Sequence, residues 1–179
     1  MQGKREQKGR LAEEDKREML KRSLRKKDGI PRREGPYLID WMKLSDLRQI
    51  IRLEKIFFPE PLTLYKLLRY WLMPITHYIV IRDGRKVVAY IGFQMFGPAA
   101  HTISMGSHPD YRHQGLAALV QRTADRVAKN RGASWFTGEV RVSNISQLKF
   151  LRAIGWIEIG ISPNFFKNGE DAVVVWNWL

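Results

Sequence analysis

From Tyr37 to Leu179 the chain alternates short apolar runs typical of strands with amphipathic runs typical of helices, and this order constrains the fold more than any other feature. Asp83-Gly84 predicts a hairpin turn between two strands, and Gly155 predicts the end of a helix. The predicted strands are 37–41, 78–82, 86–93, 101–107, 134–142, 156–161 and 172–178, and the predicted helices are 45–56 (capped by Ser45), 63–72, 114–129 and 145–154. The order β α α β β β α β α β β predicts an α/β domain with a single mixed, mostly antiparallel sheet flanked by helices.

The composition excludes several classes of protein. A chain of 179 residues suffices for one domain of ordinary size, and 44% hydrophobic with 27% charged residues excludes a wholly disordered chain. The absence of cysteine excludes disulfides, thiolate metal sites and cysteine nucleophiles, and it favours a reducing compartment. The four histidines lack the spacing of metal ligands. Because the sequence has neither a signal segment nor an apolar run approaching the roughly 18 residues of a membrane span, we expect a cytoplasmic protein.

Residues 1–36 are expected to form a basic arm separate from the domain at 37–179, because they contain too few apolar residues for a core. They carry 13 of the 31 basic side chains against 7 acidic ones, and the whole chain has a formal net charge of +13. Acidic residues near 13–15 and basic residues near 25–27 fit a helix over 11–27. A solvated arm, an anchor for nucleic acid and an extension foreign to the domain all fit this pattern. The basic surplus favours acidic partners without selecting one.

The stretch from His108 to Ala117 carries the clearest sign of a binding site. After a predicted strand, a Pro-Asp turn leads into a helix that has no obvious side chain to cap its first turn. Unpaired N–H groups, the positive end of a helix dipole, Arg112 and a glycine that allows close backbone approach together suit a phosphate or pyrophosphate. The segment is neither a P-loop nor a dinucleotide G-x-G-x-x-G motif. Taken alone, it also fits a purely structural helix start.

Three further segments make the pattern more specific. Glu139-Val-Arg-Val-Ser-Asn144 precedes a helix that ends in Ile-Gly-Trp, Asn164-Phe-Phe-Lys-Asn-Gly-Glu-Asp-Ala172 lies near the C-terminus, and Glu54-x-x-x-Phe58-Pro59-x-Pro61 lies upstream. With the loop before Ala117, these segments resemble the motifs of the GNAT superfamily of N-acetyltransferases. The second and third resemble signatures of the RimI-type ribosomal-protein alanine N-acetyltransferases. The resemblance covers residues 37–179, implies the acyl-coenzyme A N-acyltransferase fold, and leaves the arm unexplained.

The resemblance implies acetyl-coenzyme A as the acetyl donor and no metal. The pyrophosphate would lie on the backbone at the start of the helix beside Arg112, the pantetheine and thioester would run along the preceding strand, and Asn144 would contact the cofactor at the next helix. Glu139 matches the general base of the RimI type. The cofactor-binding residues implied in this way are Met105, Gly106, Ser107, Arg112, His113, Gln114, Gly115, Leu116, Ala117, Ala118 and Asn144.

Three positions depart from the family pattern. Leu151 stands seven residues after Asn144, where the family usually has a tyrosine that protonates the departing thiolate. Phe165 and Phe166 keep the rings of two paired tyrosines but lose both hydroxyls. These residues can pack as well as tyrosine does, so the fold is not affected, but the acid step and some peptide contacts change. A thiolate, whose pKa lies near 8.5, can leave without an enzymic acid.

These observations predict an N-acetyltransferase that moves an acetyl group from acetyl-coenzyme A to an amine, with the N-terminal α-amine of a protein, such as a ribosomal protein, as the favoured acceptor. A GNAT-fold enzyme acting on a small amine is one alternative. A non-catalytic module that binds acyl-coenzyme A or nucleic acid is another, favoured by the three departures and by the basic arm. The expected partners are a protein or peptide N-terminus, with nucleic acid or ribosome contact through the arm, and no membrane.

Overall fold

The computed structural model describes residues 27–179. The chain divides between Ile30 and Pro31 into two units, of which the second, Pro31–Leu179, contains the sheet described below. The helix predicted over 11–27 lies outside the described residues except for its last residue.

The second unit contains eight strands and four α-helices. The strands are β1 (Arg32–Glu34), β2 (Tyr37–Trp41), β3 (Thr76–Asp83), β4 (Lys86–Phe96), β5 (Ala99–Ser107), β6 (Trp135–Arg141), β7 (Ile157–Ser162) and β8 (Ala172–Trp178). The helices are α1 (Leu47–Phe57), α2 (Leu64–Leu72), α3 (Leu116–Asn130) and α4 (Ile145–Ala153).

All eight strands join one sheet, in the order β1-β2-β3-β4-β5-β6-β8-β7. Within residues 27–179, β5 and β6 form the one parallel pair and the other neighbours are antiparallel. A parallel pair needs a crossover, which α3 supplies between these two strands. The predicted fold, a mixed and mostly antiparallel sheet flanked by helices, is confirmed.

Helices cover both faces of the sheet. One face packs under α1 and α2 in a hydrophobic cluster whose buried members are Met42, Leu47, Ile50, Leu53, Leu67, Tyr78, Val80, Val87 and Tyr90. Because side chains alternate along a strand, the buried residues Ile79, Ile81 and Ile91 point to the opposite face. The amphipathic helix α3 packs against β3, β4 and β5 there and buries Val120, Ala124 and Val127, among others.

The two central strands part from each other along their length. The β5–β6 pairing covers Ala99–His101 against Trp135–Thr137 and goes no further. Beyond it, β5 still pairs with β4 as far as Ser107, and β6 still pairs with β8 as far as Arg141. A cleft therefore opens between residues 102–107 of β5 and 138–141 of β6. No strand of the described sheet pairs with residues 102–107 on the cleft side, so backbone groups on that edge are available to a ligand.

Two local features differ from the sequence expectations. β1 lies within the segment that the sequence assigned to the arm. Gly35-Pro36, which was expected to separate the arm from the domain, forms a hairpin turn instead: Gly35 has a φ of +58°, and Glu34 pairs with Tyr37. Ser45 does not cap α1. It lies inside a short 3₁₀ turn, Leu44–Asp46, in which the Asp46 carboxylate accepts a hydrogen bond of 2.7 Å from the N–H of Lys43.

Candidate active site at the split between two central strands

The start of α3 lies just beyond the end of β5, at the mouth of the cleft. His113 and Gly115 both have positive φ, 61° and 74°, and turn the chain into the helix. Gly115 occupies the N-cap position and has no side chain to accept a hydrogen bond, so the predicted helix start without a side-chain cap is present. Residues 112–115 are exposed, whereas Leu116 is buried against the sheet. The first-turn N–H groups of α3 therefore face solvent at the positive end of the helix dipole.

The loop before α3 is held at both ends. The Nδ1 atom of His108 accepts a hydrogen bond of 3.2 Å from the N–H of Asp110, and the Tyr111 hydroxyl donates one of 3.0 Å to Asp83 on β3. That bond to the carboxylate of Asp83 is the main reason why the pKa of Tyr111 is raised. The Tyr37 hydroxyl donates to the side-chain oxygen of Gln114. These contacts fix the path by which the chain enters the helix.

The end of β5 places Met105, Gly106 and Ser107 along the cleft edge. A Cβ atom on Gly106 would lie 2.5 Å from the ring of Phe57 in α1, so glycine is required here by the packing of the strand against α1. The Met105 sulfur lies 3.2 Å from Nε2 of Gln147 in α4, across the cleft. The two walls of the cleft thus contact each other between β5 and the first turn of α4.

Asn144 has a structural task that the sequence motif did not reveal. Its Oδ1 accepts a hydrogen bond of 3.1 Å from the N–H of Gln147, so Asn144 is the N-cap of α4. Because β5 and β6 are parallel and precede α3 and α4, the two helices start at the same edge of the sheet.

Glu139 lies on β6 beyond the point where the two strands part, and its nearest charged or titratable partner is His101 of β5. Nε2 of His101 lies 3.2 Å from Oε2 of Glu139, and Nδ1 lies 2.9 Å from the hydroxyl of Thr137. His101 pairs in register with Thr137 of β6 and with Gln94 of β4. The Gln94 side chain donates a hydrogen bond to the hydroxyl of Thr76, which lies on the face covered by α1 and α2. The side chains of His101 and Glu139 are 33% and 21% exposed, so both contact solvent while facing each other.

His101 is a candidate that sequence reasoning missed. The sequence places it 38 positions before Glu139, and only the parallel register of β5 with β6 brings the two side chains together. A histidine at the start of a predicted strand gave no signal of its own.

Arg141 lies on the same face of β6, two residues beyond Glu139, and ties the strand to two loops. Its side chain is 9% exposed, and its guanidinium lies 3.2 Å from Glu60 in the loop between α1 and α2. It also lies 2.7 Å from Glu170 in the loop between β7 and β8, with Asn168 at 3.0 Å and the Phe166 ring at 3.8 Å. The loop residues 58–62 and 163–171 are therefore held beside the Glu139 end of the cleft.

The Glu-Asp-Ala segment near the C-terminus has a structural basis in these contacts. Glu170 accepts hydrogen bonds from the hydroxyl and the N–H of Ser143, at 2.5 and 3.0 Å, as well as from Arg141. These bonds lower the pKa of Glu170 to about 2. Asp171 accepts a hydrogen bond of 2.8 Å from the N–H of Asn164, whose φ is positive, and this closes the loop.

The upstream motif has a structural basis of the same kind. Glu54 is buried in α1, where its carboxylate accepts hydrogen bonds of 2.7 Å from the Tyr90 hydroxyl and 3.0 Å from the N–H of Leu62. Burial, with the charge of Glu54 beside it, raises the pKa of Tyr90 well above its usual value. The hydrogen bond from Leu62 to Glu54 thus holds the end of the loop after α1 in place.

The residues that depart from the family pattern occupy different environments. Leu151 is a buried residue of α4 and does not contribute a polar group to the cleft. Phe165 is half exposed, and its ring meets Phe166 edge to face at a centroid distance of 5.1 Å. Phe166 therefore packs on Arg141 while Phe165 presents an apolar ring to solvent.

Neither a metal site nor a membrane span is found in the described part of the chain. Residues 27–179 contain no group of three histidine, aspartate or glutamate side chains arranged to hold a metal ion. None of the helices among these residues is both long and apolar enough to cross a membrane. His77 is partly buried beside Trp41 and Phe93, and desolvation together with the charge of Arg131 lowers its pKa to about 4.

Comparison with known proteins identifies clear relatives. The sequence profile of the Acetyltransferase (GNAT) family matches residues 44–156. A Bacillus subtilis (strain 168) protein provisionally named [ribosomal protein bS18]-alanine N-acetyltransferase is 30% identical over 140 residues, which cover 75% of this chain and 91% of that protein. An N-alpha-acetyltransferase of Sulfurisphaera tokodaii is 25% identical over 152 residues, 78% of this chain and 91% of that protein.

The solved structures agree on the fold. The crystal structure of the ribosomal-protein-S18-alanine N-acetyltransferase from Escherichia coli superposes with a TM-score of 0.71 at 21% identity, and the match covers 79% of this chain and 93% of that one. At this identity the similarity concerns the arrangement of the sheet and helices.

Proposed function

The chain belongs to the GNAT family of acetyltransferases and is an N-acetyltransferase, and we propose that its acceptor is the N-terminal α-amine of a protein, as in RimI-type enzymes. The single observation that supports this acceptor best is the position of Glu139, a carboxylate on the cleft wall that contacts His101 and solvent. The similarity to the B. subtilis protein supports a ribosomal protein as the substrate. Such an acceptor would place the enzyme in the cytoplasm.

Acetyl-coenzyme A, when bound, supplies the thioester-activated acetyl group, and the residues present fit it. The start of α3 offers first-turn N–H groups without a side-chain cap beside Arg112, which suits a pyrophosphate on the backbone from His113 to Ala118. The cleft edge of β5 at Met105, Gly106 and Ser107 offers strand groups that suit an extended amide-containing chain. Asn144 adds the amide at the start of α4. These residues are our proposed cofactor site.

Glu139 is the proposed general base. An incoming amine attacks only as the neutral form, so the site must take one proton from the ammonium group that predominates in water. An α-amine has a pKa of about 7.7–8.0 against about 10.4 for lysine, a difference of about 3 kcal/mol in the cost of deprotonation. A carboxylate acting directly or through water therefore suits a protein N-terminus better than a lysine side chain.

The charge that develops on the acetyl oxygen is proposed to be stabilised by backbone N–H groups near Ser107 at the cleft edge of β5. Leu151 is buried and carries no proton, so it cannot protonate the leaving sulfur. A thiol with a pKa near 8.5 does not require an enzymic acid. The proposed site thus depends on one proton-accepting carboxylate.

The basic segment 1–36 is proposed to contact nucleic acid or the ribosome, because a chain with a net charge of +13 favours acidic partners. Binding of the full chain to RNA, measured at rising salt, tests this: we expect affinity to fall steeply, and affinity independent of salt would contradict the proposal.

One experiment tests the acceptor. The full chain is incubated with acetyl-coenzyme A and a panel of N-terminal peptides, including one with an N-terminal alanine, alongside N-terminally blocked peptides that carry lysine. We expect a mass gain of one acetyl group on the free N-termini only. Acetylation of the blocked peptides or of small polyamines instead would contradict the proposed acceptor, and cofactor binding without any acetylation would favour a binding module.

A further inference from the structure

The contact between His101 and Glu139 has a geometry that allows the histidine to act on the carboxylate. The carboxylate of Glu139 can only accept hydrogen bonds when ionised, so the ring nitrogen that faces it at 3.2 Å must carry the proton. The neutral ring is then protonated on Nε2, and Nδ1 accepts from the Thr137 hydroxyl at 2.9 Å. The carboxylate thus favours the Nε2–H form of the ring, and the Thr137 hydroxyl complements that form by donating to Nδ1.

This donation leaves one carboxylate oxygen for the substrate. Oε2 of Glu139 is engaged by Nε2–H, so Oε1 is the atom that can accept the ammonium proton of the acceptor. The hydrogen bond also fixes the rotation of the Glu139 side chain. We propose that His101 is a positioning residue that orients Glu139 and that protonation of His101 weakens Glu139 as a base. This inference rests on the proposed function.

Protonation of His101 changes the pair in a definite way. The imidazolium form donates from both nitrogens: Nε2 to Glu139, and Nδ1 to Thr137, whose hydroxyl can then donate to the carbonyl of Ala100 at 3.4 Å. A cation beside the carboxylate favours the ionised carboxylate and therefore lowers its tendency to take a proton from the substrate. The reactive form of the pair is the carboxylate with neutral His101. After Glu139 takes up one proton from the ammonium group, the partly exposed edge of the pair allows that proton to return to water.

His101 is the titratable side chain that faces Glu139 most closely. The residues of β5 include no other titratable side chain, and the neighbours on β4 and β8 in register with the pair, Gln94, Val174 and Trp176, are uncharged. The charged groups beside it on this face are Arg141 of β6, Glu60 of the loop after α1 and Glu170 of the loop before β8. Arg141 binds both carboxylates, and the pKa of Glu170 is lowered to about 2, so the charge of Glu170 is constant over the pH range of interest.

Three variants separate orientation from titration. His101→Ala removes the donor, and we expect kcat at pH 8 to fall about tenfold, the equivalent of one hydrogen bond to a charged group. His101→Gln keeps an N–H donor near Oε2 without a titrating ring, and we expect it to restore most of this loss. Thr137→Val keeps the shape but removes the hydroxyl that hydrogen-bonds to Nδ1, and we expect an intermediate loss.

The decisive measurement is the ratio of kcat/KM for the wild type to that for His101→Gln between pH 5.5 and 8.5, with one α-amine peptide. The ratio cancels the titration of the substrate. We expect it to fall at least about threefold from pH 8.5 to pH 5.5, because protonation of His101 weakens Glu139 as a base. A ratio that stays constant over the whole range, with both proteins folded and active, would show that His101 only fills space, and it would overturn the inference without affecting the proposed acceptor.

A second measurement does not depend on activity. The ¹⁵N spectrum of the imidazoles at pH 8.5, assigned through His101→Gln, reports which nitrogen carries the proton. We expect the Nε2–H form for His101 in the wild type and a mixture of the two forms in Glu139→Gln, whose amide can also donate. The same form in both proteins would overturn the inference. If the wild type acetylates no α-amine, the proposed function fails while this spectrum still decides whether the pair exists.

Discussion

The guanidinium of Arg141 and the carboxylate of Glu170 are joined by a hydrogen bond of 2.7 Å between Nη1 and Oε2. Since Arg141 also contacts Glu60, this pair links β6, the loop after α1 and the loop before β8 next to Glu139. Ser143 completes the arrangement by donating two hydrogen bonds to the other oxygen of Glu170. The contact therefore affects both the stability of the fold and the order of the loops that border the cleft.

Glu170 should make the stability of the protein depend on acid pH. Its pKa is lowered to about 2 in the folded state, chiefly by the hydrogen bonds from Ser143 and Arg141, so the folded state favours the ionised form. Its stabilising effect is complete above the unfolded value near 4.3 and is lost as the pH falls towards 2. We expect Glu170→Gln to lower the melting temperature at pH 6. Below pH 4.5 the difference in melting temperature between the variant and the wild type should shrink as the pH falls.

The matched control is Glu158→Gln, which removes a strand carboxylate that makes one ion pair of 2.6 Å with the exposed Arg152. Exposed pairs of this kind contribute little, so its effect should be smaller at every pH. A difference between Glu170→Gln and the wild type that stays the same from pH 6 to pH 2.5 would contradict the argument.

Asp125 should have the opposite pH dependence. It is largely buried on α3, and burial raises its pKa to about 6, although Gln121 donates a hydrogen bond of 2.8 Å to it. The folded state therefore holds a proton that the unfolded chain releases near pH 3.9, and stability falls as the pH rises from about 4 to 6. We expect Asp125→Asn to raise the free energy of unfolding by about 1–3 kcal/mol at pH 7 and to have no such effect at pH 4.

Chemical denaturation at both pH values measures this change. Asp110→Asn, at an exposed carboxylate in the loop before α3, is the control and should leave stability nearly unchanged. A loss of stability in Asp125→Asn at pH 7 would contradict this expectation. It would mean that the interactions of the buried carboxylate stabilise the folded state by more than its desolvation destabilises it.

The start of α3 offers a prediction about cofactor binding. A side chain at Gly115 would meet no neighbouring atom within 4 Å, so its Cβ would project into open space where the proposed pyrophosphate approaches. Gly97, in the turn between β4 and β5, also has a positive φ and open space around its Cβ. Valine at either position costs about 1–3 kcal/mol of backbone strain. We expect Gly115→Val to weaken acetyl-coenzyme A binding at least about tenfold, and Gly97→Val to leave it unchanged.

Titration calorimetry with acetyl-coenzyme A measures both affinities, and thermal unfolding shows that both variants are folded. Equal affinities in the two variants would mean that the helix start does not receive the pyrophosphate.

Local signals in the sequence sufficed for most of the fold. The strand and helix order came from periodicity, and the lack of a side-chain cap on α3 followed from the residues before it. The helix starts at Leu116 instead of the predicted Gln114, because Gly115 has a positive φ. The motif residues Glu54, Glu170 and Asp171 were recognised as a pattern, but their task of holding the loops appears only in three dimensions. β1 escaped prediction because Gly35-Pro36 fits a separator and a hairpin turn equally well.

The composition of the candidate site was less accessible from sequence. His101 meets Glu139 because β5 and β6 are adjacent and parallel, a long-range relationship that no local pattern specifies. Arg141 looked like an ordinary strand residue, although three elements meet at its guanidinium. Contacts of this kind depend on which strands become neighbours, and a single sequence does not contain that information in its local pattern.

The most direct prediction concerns Glu139 itself. Glutamine has the shape of glutamate but does not accept a proton, so Glu139→Gln should remove the proposed base and leave the cofactor site unchanged. General base catalysis typically contributes about 10²–10⁴-fold, and we expect kcat at pH 7 to fall by that factor while affinity for acetyl-coenzyme A is retained. The rate should recover in part towards pH 9.5, because the α-amine has a pKa of about 8 and is mostly neutral at a pH above that value.

Steady-state kinetics on one N-terminal peptide from pH 6 to 9.5, with titration calorimetry for the cofactor, test both halves of this expectation. Glu158→Gln is again the control, because it neutralises a carboxylate on β7, outside the cleft, and it should keep full activity. A lost rate that recovers at high pH identifies Glu139 as a base, since a variant with a merely distorted site would stay slow at every pH. Full activity of Glu139→Gln at neutral pH would instead reduce Glu139 to an ordinary strand carboxylate and leave proton removal to water.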